Sequence, residues 1–414
     1  MIYMNTFRKY RLLILALLIG IGAYASIVTI KSQRYPPLPV SQDTLLYKLQ
    51  SFLDTGYNKI ADYCRTESEL AICRNQIELN TQRSKEIADS LNNLLNKDLY
   101  SFYTSACTSK TSAKPDEKTQ LAFKALNSRL SRFEAEQTRL GEDTKTQNNL
   151  VQALDSQLKM QRKNYDAASK SLANLSSPLK EAGLLVIKNR PYRFFIASTA
   201  NHQVHIHNSK SDGPASIETL KKEESKSNTP LMITNGGMFM PGYSPQGLLI
   251  EDGKVKHDLD TAHPVNSNLN FYLLPNGIFY IDAAGKFNME ETQEFRNNFA
   301  RNKAGLQFAT QSGPLLFNKK EVNKNFRAGS ENLNIRSGVG IINGDQVVFV
   351  ISDTRVNFFD FALIFREIFH CSSALYLDGA ISQMYISDKL LKKAPLPTDG
   401  LFGPLISITP KKKS

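Results

Sequence analysis

Residues 339–386 restrict the fold of this chain more than any other stretch. Two apolar, β-branched runs, at 339–342 and 347–351, flank the dipeptide Asn343-Gly344. Asn-Gly between two such runs is typical of a tight turn that folds one strand back onto the other. This part of the sequence therefore predicts a β-hairpin.

A helix and a third strand are predicted after the hairpin. Asn357 suits a helix N-cap, and apolar residues follow it at helical spacing: Phe358, Phe361, Ala362, Phe365 and Phe369. A short apolar run at 374–377 then stops at Asp378-Gly379. Strand, helix and strand make one crossover, which we expect to join neighbouring parallel strands.

Such a crossover would bring Asp353 and Asp378 to the same edge of the sheet, because each follows a predicted strand. Ligands bind at that edge in open α/β sheets. Two carboxyl groups there are a candidate acid and base pair.

The N-terminus has the pattern of an export signal. Three basic residues at positions 8–11 precede residues 12–30, which carry no charge and are long enough for a helix that crosses a bilayer. Ala23-Tyr24-Ala25 has the form of a cleavage site, but the apolar stretch continues beyond it, which favours an uncleaved anchor over a cleaved, secreted form. We expect a single-pass protein of the bacterial inner membrane, with its C-terminal domain in the periplasm or otherwise outside the cytoplasm.

Composition divides the chain into a signal anchor and Pro-rich linker at 1–40, a helical region at 41–177, and a further domain at 178–414. Heptad spacing of apolar residues runs from 70 to 94 and again from 126 to 175, which predicts a coiled coil. Polar residues that interrupt the second run are expected to set its register: Gln137, Thr144, Gln147 and Gln161. One antiparallel hairpin is the simplest arrangement; self-association between chains, or pairing with a protein partner, also fits.

The cysteines and the net charge limit the chemistry. Cys64 and Cys73 are too far apart to bond on one continuous helix, so a disulfide needs a helix that begins between them, or Cys107 as the partner. Cys371 lies among apolar residues and is predicted to be a buried free thiol. A net charge of +12 fits an anionic membrane nearby or an acidic substrate, and we find no nucleic-acid-binding motif.

The chain is predicted to be an α+β protein. Its C-terminal domain would hold a mixed β-sheet with the strand-helix-strand crossover, preceded by a long helical coiled-coil hairpin and an N-terminal transmembrane helix. Short β-branched or aromatic runs predict further strands at 184–188, 194–198, 203–207, 231–234, 247–251, 270–274, 278–281, 307–310 and 314–317.

Several of these runs end in glycine-flanked polar motifs. In chain order they are NGGMF at 235–239, SPQGLLIEDGK at 244–254, NFYLLPNGIFYI at 270–281, TQSGPLL at 310–316, RSGVG at 336–340 and LYLDGAIS at 375–382. This order resembles the phosphodiester glycosidase family, which includes the mannose-6-phosphate uncovering enzyme, an N-acetylglucosamine-1-phosphodiester α-N-acetylglucosaminidase. The resemblance spans about residues 190–408 and implies an enzyme that hydrolyses a sugar phosphodiester.

The resemblance also implies a pocket built from these motifs. Its substrate-binding residues would be Asn235, Gly236, Gly237, Phe239, Gln246, Gln311, Ser312, Gly313 and Gly379. Asp378 is the candidate catalytic carboxylate, and Asp353 or Glu251 the candidate second one. Arg336 is the candidate phosphate clamp, because a guanidinium offers paired hydrogen bonds to phosphate oxygens.

The chain departs from the family pattern at a few positions. Ala380-Ile381 stands where the family commonly has glycines, Ser337 where bacterial relatives usually have Asn, and Gly237 where others have Ala. These departures bear on the substrate rather than on the fold.

The sequence as a whole predicts an exported, membrane-tethered hydrolase that cleaves a sugar-1-phosphodiester in an envelope glycan or glycoconjugate. The alternative is a non-enzymatic envelope protein that binds a glycan or regulates another protein, with the coiled coil recruiting partners. No cofactor is required, although a divalent cation between carboxylates is compatible with these residues.

Overall fold

The structure is a computed structural model that describes residues 44–93, 117–176, 179, 181–208, 215–262, 264, 269–302, 305–319, 321–379, 381–391 and 400–411. The predicted transmembrane segment, Cys107 and Ala380 lie outside these residues. In the part of the chain that is described, no helix has both the length and the apolar character needed to cross a membrane. The chain divides into two units, residues 1–51 and residues 52–414.

Long helices precede the first strand. They are α1 (Thr44–Thr55), α2 (Tyr57–Asn93) and α3 (Glu117–Ser176). Arg74 on α2 forms an ion pair of 3.1 Å with Asp155 on α3, and Arg83 forms one of 3.3 Å with Glu136. Residue numbers rise along one helix as they fall along the other, so α2 and α3 form the antiparallel hairpin that the heptads predict.

Polar residues inside the hairpin face each other. The Ser84 hydroxyl donates to Gln137 Oε1 at 2.9 Å, and Gln137 Nε2 donates back to the Ser84 carbonyl at 2.9 Å. Asn80 Nδ2 donates to Thr144 Oγ1 at 3.4 Å. Because a shifted register would bury these groups against apolar side chains, they favour the observed one.

The cysteines follow the prediction for a continuous helix. Cys64 and Cys73 both lie on α2 and are free thiols, and Cys371 is also free and buried.

The C-terminal domain is built from antiparallel sheets. Its strands are β1 (Ala182–Ile187), β2 (Arg190–Ser198), β3 (His202–His207), β4 (Ala215–Ser216), β5 (Met232–Asn235), β6 (Leu249–Glu251), β7 (Lys254–His257), β8 (Gly277–Ile281), β9 (Phe287–Glu291), β10 (Phe308–Ser312), β11 (Leu315–Asn318), β12 (Glu321–Val322), β13 (Ser337–Asn343), β14 (Gln346–Ser352), β15 (Ser373–Asp378), β16 (Met384–Ile386), β17 (Leu401–Phe402) and β18 (Leu405–Pro410). Helices α4 (Ile217–Glu224), α5 (Thr292–Asn302) and α6 (Phe358–Leu363) pack among them.

The strands form a seven-stranded sheet, β1-β2-β14-β13-β15-β11-β12, a five-stranded sheet, β7-β6-β10-β8-β9, and a four-stranded sheet, β16-β5-β18-β3, with β17 and β4 as a small separate pair. One apolar core is shared by the three larger sheets. Phe349 contributes to it from the first, Phe279 from the second and Ile406 from the third. The three sheets are therefore packed against one another as one domain.

The predicted hairpin and helix are confirmed, but the predicted mixed sheet is wrong. The strand pairings among the described residues are antiparallel, and β13 lies between β14 and β15. The outer edge of β14 is occupied by β2, so β15 adds to the free edge of β13 instead. Asp353 thus follows β14 and Asp378 ends β15, two strands that run in the same direction but are not neighbours.

The helical hairpin is attached to the crossover helix. Helix α6 continues as a π-helical turn, Ile364–Ile368, and the buried Glu367 carboxylate in that turn accepts from Arg366 Nε at 2.7 Å. Tyr165 on α3 and Cys64 on α2 also donate to this carboxylate, at 3.3 and 3.5 Å. Both arms of the hairpin therefore bind the helix that links β14 to β15.

Candidate functional site

Several of the predicted motifs meet at the end of β15. Asn235 Nδ2, at the end of β5, donates to the Ser337 hydroxyl at 2.9 Å. The Ser312 hydroxyl, at the end of β10, donates to the Leu377 carbonyl at 2.9 Å. Ser337 is itself paired with Asp378 across β13 and β15. Residues far apart in the sequence are thereby gathered at the end of β15, next to Asp378.

The two glycines after β5 allow close packing of this junction. The Gly237 N–H donates to Thr310 Oγ1 on β10 at 3.2 Å, and the Gly236 N–H donates to the Pro404 carbonyl at 2.8 Å. A Cβ atom on Gly236 would lie 2.8 Å from Pro404 Cβ, closer than side chains pack. These N–H groups are used within the protein, so the glycines hold sheets together rather than offering free donors to a ligand.

Asp378 is the last residue of β15 and is partly exposed, with its carboxyl group directed against the Gly379 backbone. Burial raises the pKa of Asp378 to about 6, and the Gly379 N–H, which donates to Oδ1 at 2.6 Å, acts in the opposite direction. Burial dominates because the ionised form loses more hydration than one hydrogen bond restores. The group is therefore a stronger base near neutral pH than an ordinary aspartate.

The loop that follows Asp378 is held by hydrogen bonds from three directions. The Ser382 and Ser337 hydroxyls lie 2.9 Å apart, and the Gln383 N–H donates to Asn235 Oδ1 at 3.3 Å. The Thr234 hydroxyl donates to the Gln383 carbonyl at 2.9 Å. Thr234, Ser382 and Gln383 were not predicted, because only the folded chain shows that they share partners.

Arg336 immediately precedes Ser337 in the chain, but its side chain lies in the protein interior rather than at the surface. The residue is fully buried, and its Cζ atom lies 3.5 Å from the centre of the Phe358 ring. Nε donates to the Val356 carbonyl at 2.8 Å and Nη2 donates to the Asn332 carbonyl at 2.9 Å. Burial lowers the pKa of Arg336, although a guanidinium stays charged in a protein. Nη1 is buried without a hydrogen-bond partner among the described residues. Two of the three guanidinium nitrogens therefore bind the backbone, and the part of Arg336 as a phosphate clamp stays a prediction.

The residues that meet at the end of β15 lie in a part of the chain that is similar to known proteins. A family model described as phosphodiester glycosidase matches residues 228–401, a range that holds Asn235, Ser312, Arg336 and Asp378. The chain is 33% identical over 195 residues to the uncharacterized protein YigE of Escherichia coli strain K12, across 46% of this chain and 73% of YigE. The chain belongs to the phosphodiester glycosidase family.

A solved structure shows a weaker similarity. The crystal structure of a hypothetical protein from Synechocystis matches 56% of this chain and 61% of its own chain, at 12% identity and a TM-score of 0.34. The chain therefore spans less than two thirds of that protein.

The glutamine of the fourth family motif holds a loop in place. Gln311 Oε1 accepts from the Leu248 and Asp260 N–H groups at 2.9 and 3.0 Å, and Nε2 donates to the Asp260 carbonyl at 2.7 Å. Asp260 Oδ2 in turn accepts from the Tyr272 hydroxyl at 2.8 Å. The Gln311 amide has little capacity left for a substrate, whereas Asp260 and Tyr272, which were not predicted, remain partly exposed.

The other predicted substrate-binding residues surround this region. The Phe239 ring stacks on the Tyr243 ring, with their centres 5.6 Å apart. Gln246, three residues after Tyr243 in the sequence, is buried. A Cβ atom on Gly313 would meet the Phe271 carbonyl at 2.6 Å, and one on Gly379 would meet the Tyr376 hydroxyl at 2.6 Å. Both positions therefore need glycine for packing, and their part in substrate binding stays a prediction.

Asp353 is paired with a different residue. Its Oδ1 atom lies 2.9 Å from Arg193 Nε, with both side chains buried. Arg193 Nη1 also donates to the Met384 carbonyl at 3.3 Å. Burial raises the pKa of Asp353, while the Arg193 charge opposes that shift. Asp353 is thus held by Arg193, and its part as a second carboxylate beside Asp378 stays a prediction.

Glu251 has basic partners of its own. Its carboxylate is 3.4 Å from Lys256 Nζ and 3.9 Å from His207 Nδ1. His207 Nε2 lies 2.9 Å from the Ser407 hydroxyl and 3.2 Å from Glu224. Among the described residues, no group of three His, Cys, Asp or Glu side chains is arranged to hold a metal ion.

Proposed function

We propose that this protein hydrolyses a sugar-1-phosphodiester of an envelope glycan or glycoconjugate, with Asp378 as the catalytic carboxylate. The observation that carries the proposal is the position of Asp378, a carboxyl group with a raised pKa at the point where the motifs of the phosphodiester glycosidase family converge. Perturbed carboxyl groups of this kind are typical of active sites.

The reaction that fits this site breaks the bond between the anomeric carbon and the phosphate oxygen. The Asp378 carboxylate takes a proton from water as the water oxygen bonds to the anomeric carbon. The electron pair of the broken bond leaves with the phosphomonoester. Because that leaving group is already stable as an anion, it needs charge stabilisation more than a proton. One carboxylate is therefore sufficient, and Asp353 and Glu251 have partners of their own in Arg193 and Lys256.

The hydrogen bonds around Asp378 support this role. Ser382, Gln383 and Asn235 hold the following loop, and Ser312 holds the strand just before it. A catalytic group has to keep its geometry without help from the substrate, and a network of bonded neighbours provides this.

The raised pKa predicts the pH dependence. Asp378 acts as a base only when ionised, so kcat/KM should rise about tenfold per pH unit in acid and level off above pH 6, following the pKa of about 6. The assay is hydrolysis of the methyl phosphodiester of N-acetylglucosamine-1-phosphate across this range. An acid limb centred near the ordinary aspartate value would show that a different group controls the rate. Tight binding of the diester without any turnover would favour the glycan-binding alternative.

The proposal includes a place in the cell. The basic and apolar pattern of residues 8–30 supports a membrane anchor, and the helical hairpin would then hold the domain at the outer face of that membrane. Protease added to spheroplasts should degrade the domain, whereas survival of the domain until the cells are lysed would contradict this location.

A further inference from the structure

A sugar phosphodiester carries a negative charge that the site has to bind. Arg336 has no exposed surface for this purpose, since it is fully buried and donates to the carbonyls of Val356 and Asn332. The structure therefore leaves open which cation meets the phosphate. A candidate should be exposed, free of a carboxylate partner and attached close to Asp378.

Arg355 meets these conditions. It lies in the loop between β14 and α6, is exposed, and makes no hydrogen bond or ion pair with the described part of the chain. Asp353 is the acidic residue nearest to Arg355 in the sequence, and it forms a buried ion pair of 2.9 Å with Arg193. The Arg355 charge is therefore available to a ligand.

The backbone beside Arg355 is fixed next to the loop of Asp378. Val356 forms a β-bridge with Asn334, through hydrogen bonds of 2.8 and 3.1 Å. The adjoining Ile335 carbonyl lies 4.0 Å from the position that a Cβ atom on Gly379 would take. Residues 334–336 thus lie between the Arg355 loop and Gly379, in contact with both.

The buried Arg336 side chain contacts the residues that follow Arg355 in the chain. Its Nε donates to the Val356 carbonyl, and Phe358, which stacks on the guanidinium, begins the helix that follows the loop. The buried arginine therefore sets the position of the residue directly after the exposed one.

We propose that Arg355 is the guanidinium that binds the phosphate group of the substrate, and that Arg336 is a positioning residue that holds the Arg355 loop. This inference rests on the proposed function for its substrate. The binding of an anion at Arg355 stands apart from turnover and is measured separately.

The test compares Arg355→Ala and Arg355→Lys with Arg327→Ala in the full chain. Arg327 is a matched control, because it is another exposed arginine of the same domain. Inorganic phosphate is the probe, both as a ligand in calorimetry and as a competitive inhibitor of the methyl phosphodiester. Loss of a charge-assisted contact should raise the phosphate Kd and the substrate KM by about tenfold or more in Arg355→Ala, with a smaller change in kcat. Arg355→Lys should recover part of the affinity, and Arg327→Ala should match the wild type.

Each outcome bears on a separate claim. Phosphate affinity and KM that are unchanged in Arg355→Ala overturn the inference, even when the wild type is active. Phosphate binding that depends on Arg355, in a wild-type protein without turnover, sustains the inference and contradicts the proposed function. A wild-type protein that shows neither binding nor turnover contradicts both.

Discussion

Asp378→Asn should lower kcat/KM for the phosphodiester by about a thousandfold while leaving the protein folded. The amide has the shape of the carboxyl group and can still accept the Gly379 N–H, but it cannot take a proton from water. Because burial raises the pKa of Asp378 to about 6, the ionised group costs stability above that pH, and a neutral amide removes this cost. The variant should therefore be at least as stable as the wild type at pH 8.

Two further variants make this result specific. Asp388→Asn changes an exposed aspartate nearby in the chain and should leave both activity and stability unchanged. Asp353→Asn weakens a buried ion pair with Arg193, so it should lower the melting temperature, unlike Asp378→Asn. An Asp378→Asn protein that keeps more than about a tenth of wild-type activity would remove Asp378 from the chemistry.

Arg336→Ala should destabilise the domain by about 3 kcal/mol, as measured by urea unfolding. The change leaves a cavity beside Phe358 and removes the donors to the Val356 and Asn332 carbonyls. Arg336→Lys should also be destabilising, since an ammonium group cannot reproduce the flat stacking or the two separate donors. Phosphate binding should weaken with it, because the Arg355 loop loses its support.

Comparison of Arg336→Ala with Arg355→Ala distinguishes the roles of the two arginines. Arg355 is exposed, so its replacement should weaken phosphate binding with little change in unfolding. If Arg336→Ala were as stable as the wild type but bound no phosphate, Arg336 would be the direct clamp that the sequence predicts.

Local patterns predicted the elements of the central hairpin and crossover, but not their neighbours. Asn343-Gly344 and the apolar runs are sufficient for β13 and β14, and Asn357 caps α6 by accepting from the Asp360 N–H at 2.7 Å. The choice between pairing β15 with β14 or with β13 depends on β2, which lies some 150 residues earlier in the chain. The spacing of residues in the sequence does not show which strand, β2 or β15, pairs with the outer edge of β14.

The run at 270–274 shows another limit. It was predicted as a strand, but residues Asn270–Tyr272 form a 3-10 turn. Its apolar residues are too few to distinguish one periodicity from another. Tertiary packing decides the outcome, because Phe271 is buried and its carbonyl lies against Gly313.

The sequence predicted which motif residues form the candidate site, but not the role that each of them has in it. Asn235, Ser312 and Asp378 do converge, since strand ends with glycines mark where sheets can meet. Whether an arginine is buried or exposed depends on the aromatic side chains that cover it, as Phe358 covers Arg336. For this reason the sequence assigned the clamp to Arg336 and did not identify Arg355.

Hydrolysis in water labelled with heavy oxygen measures which bond of the phosphodiester is broken. The wild-type protein would be given the methyl phosphodiester of N-acetylglucosamine-1-phosphate, and the released phosphomonoester would be weighed by mass spectrometry. Attack at the anomeric carbon predicts that methyl phosphate is released without the label, and that Asp378→Asn releases almost none of it. Label in the phosphate product would place the attack on phosphorus and contradict the mechanism assigned to Asp378.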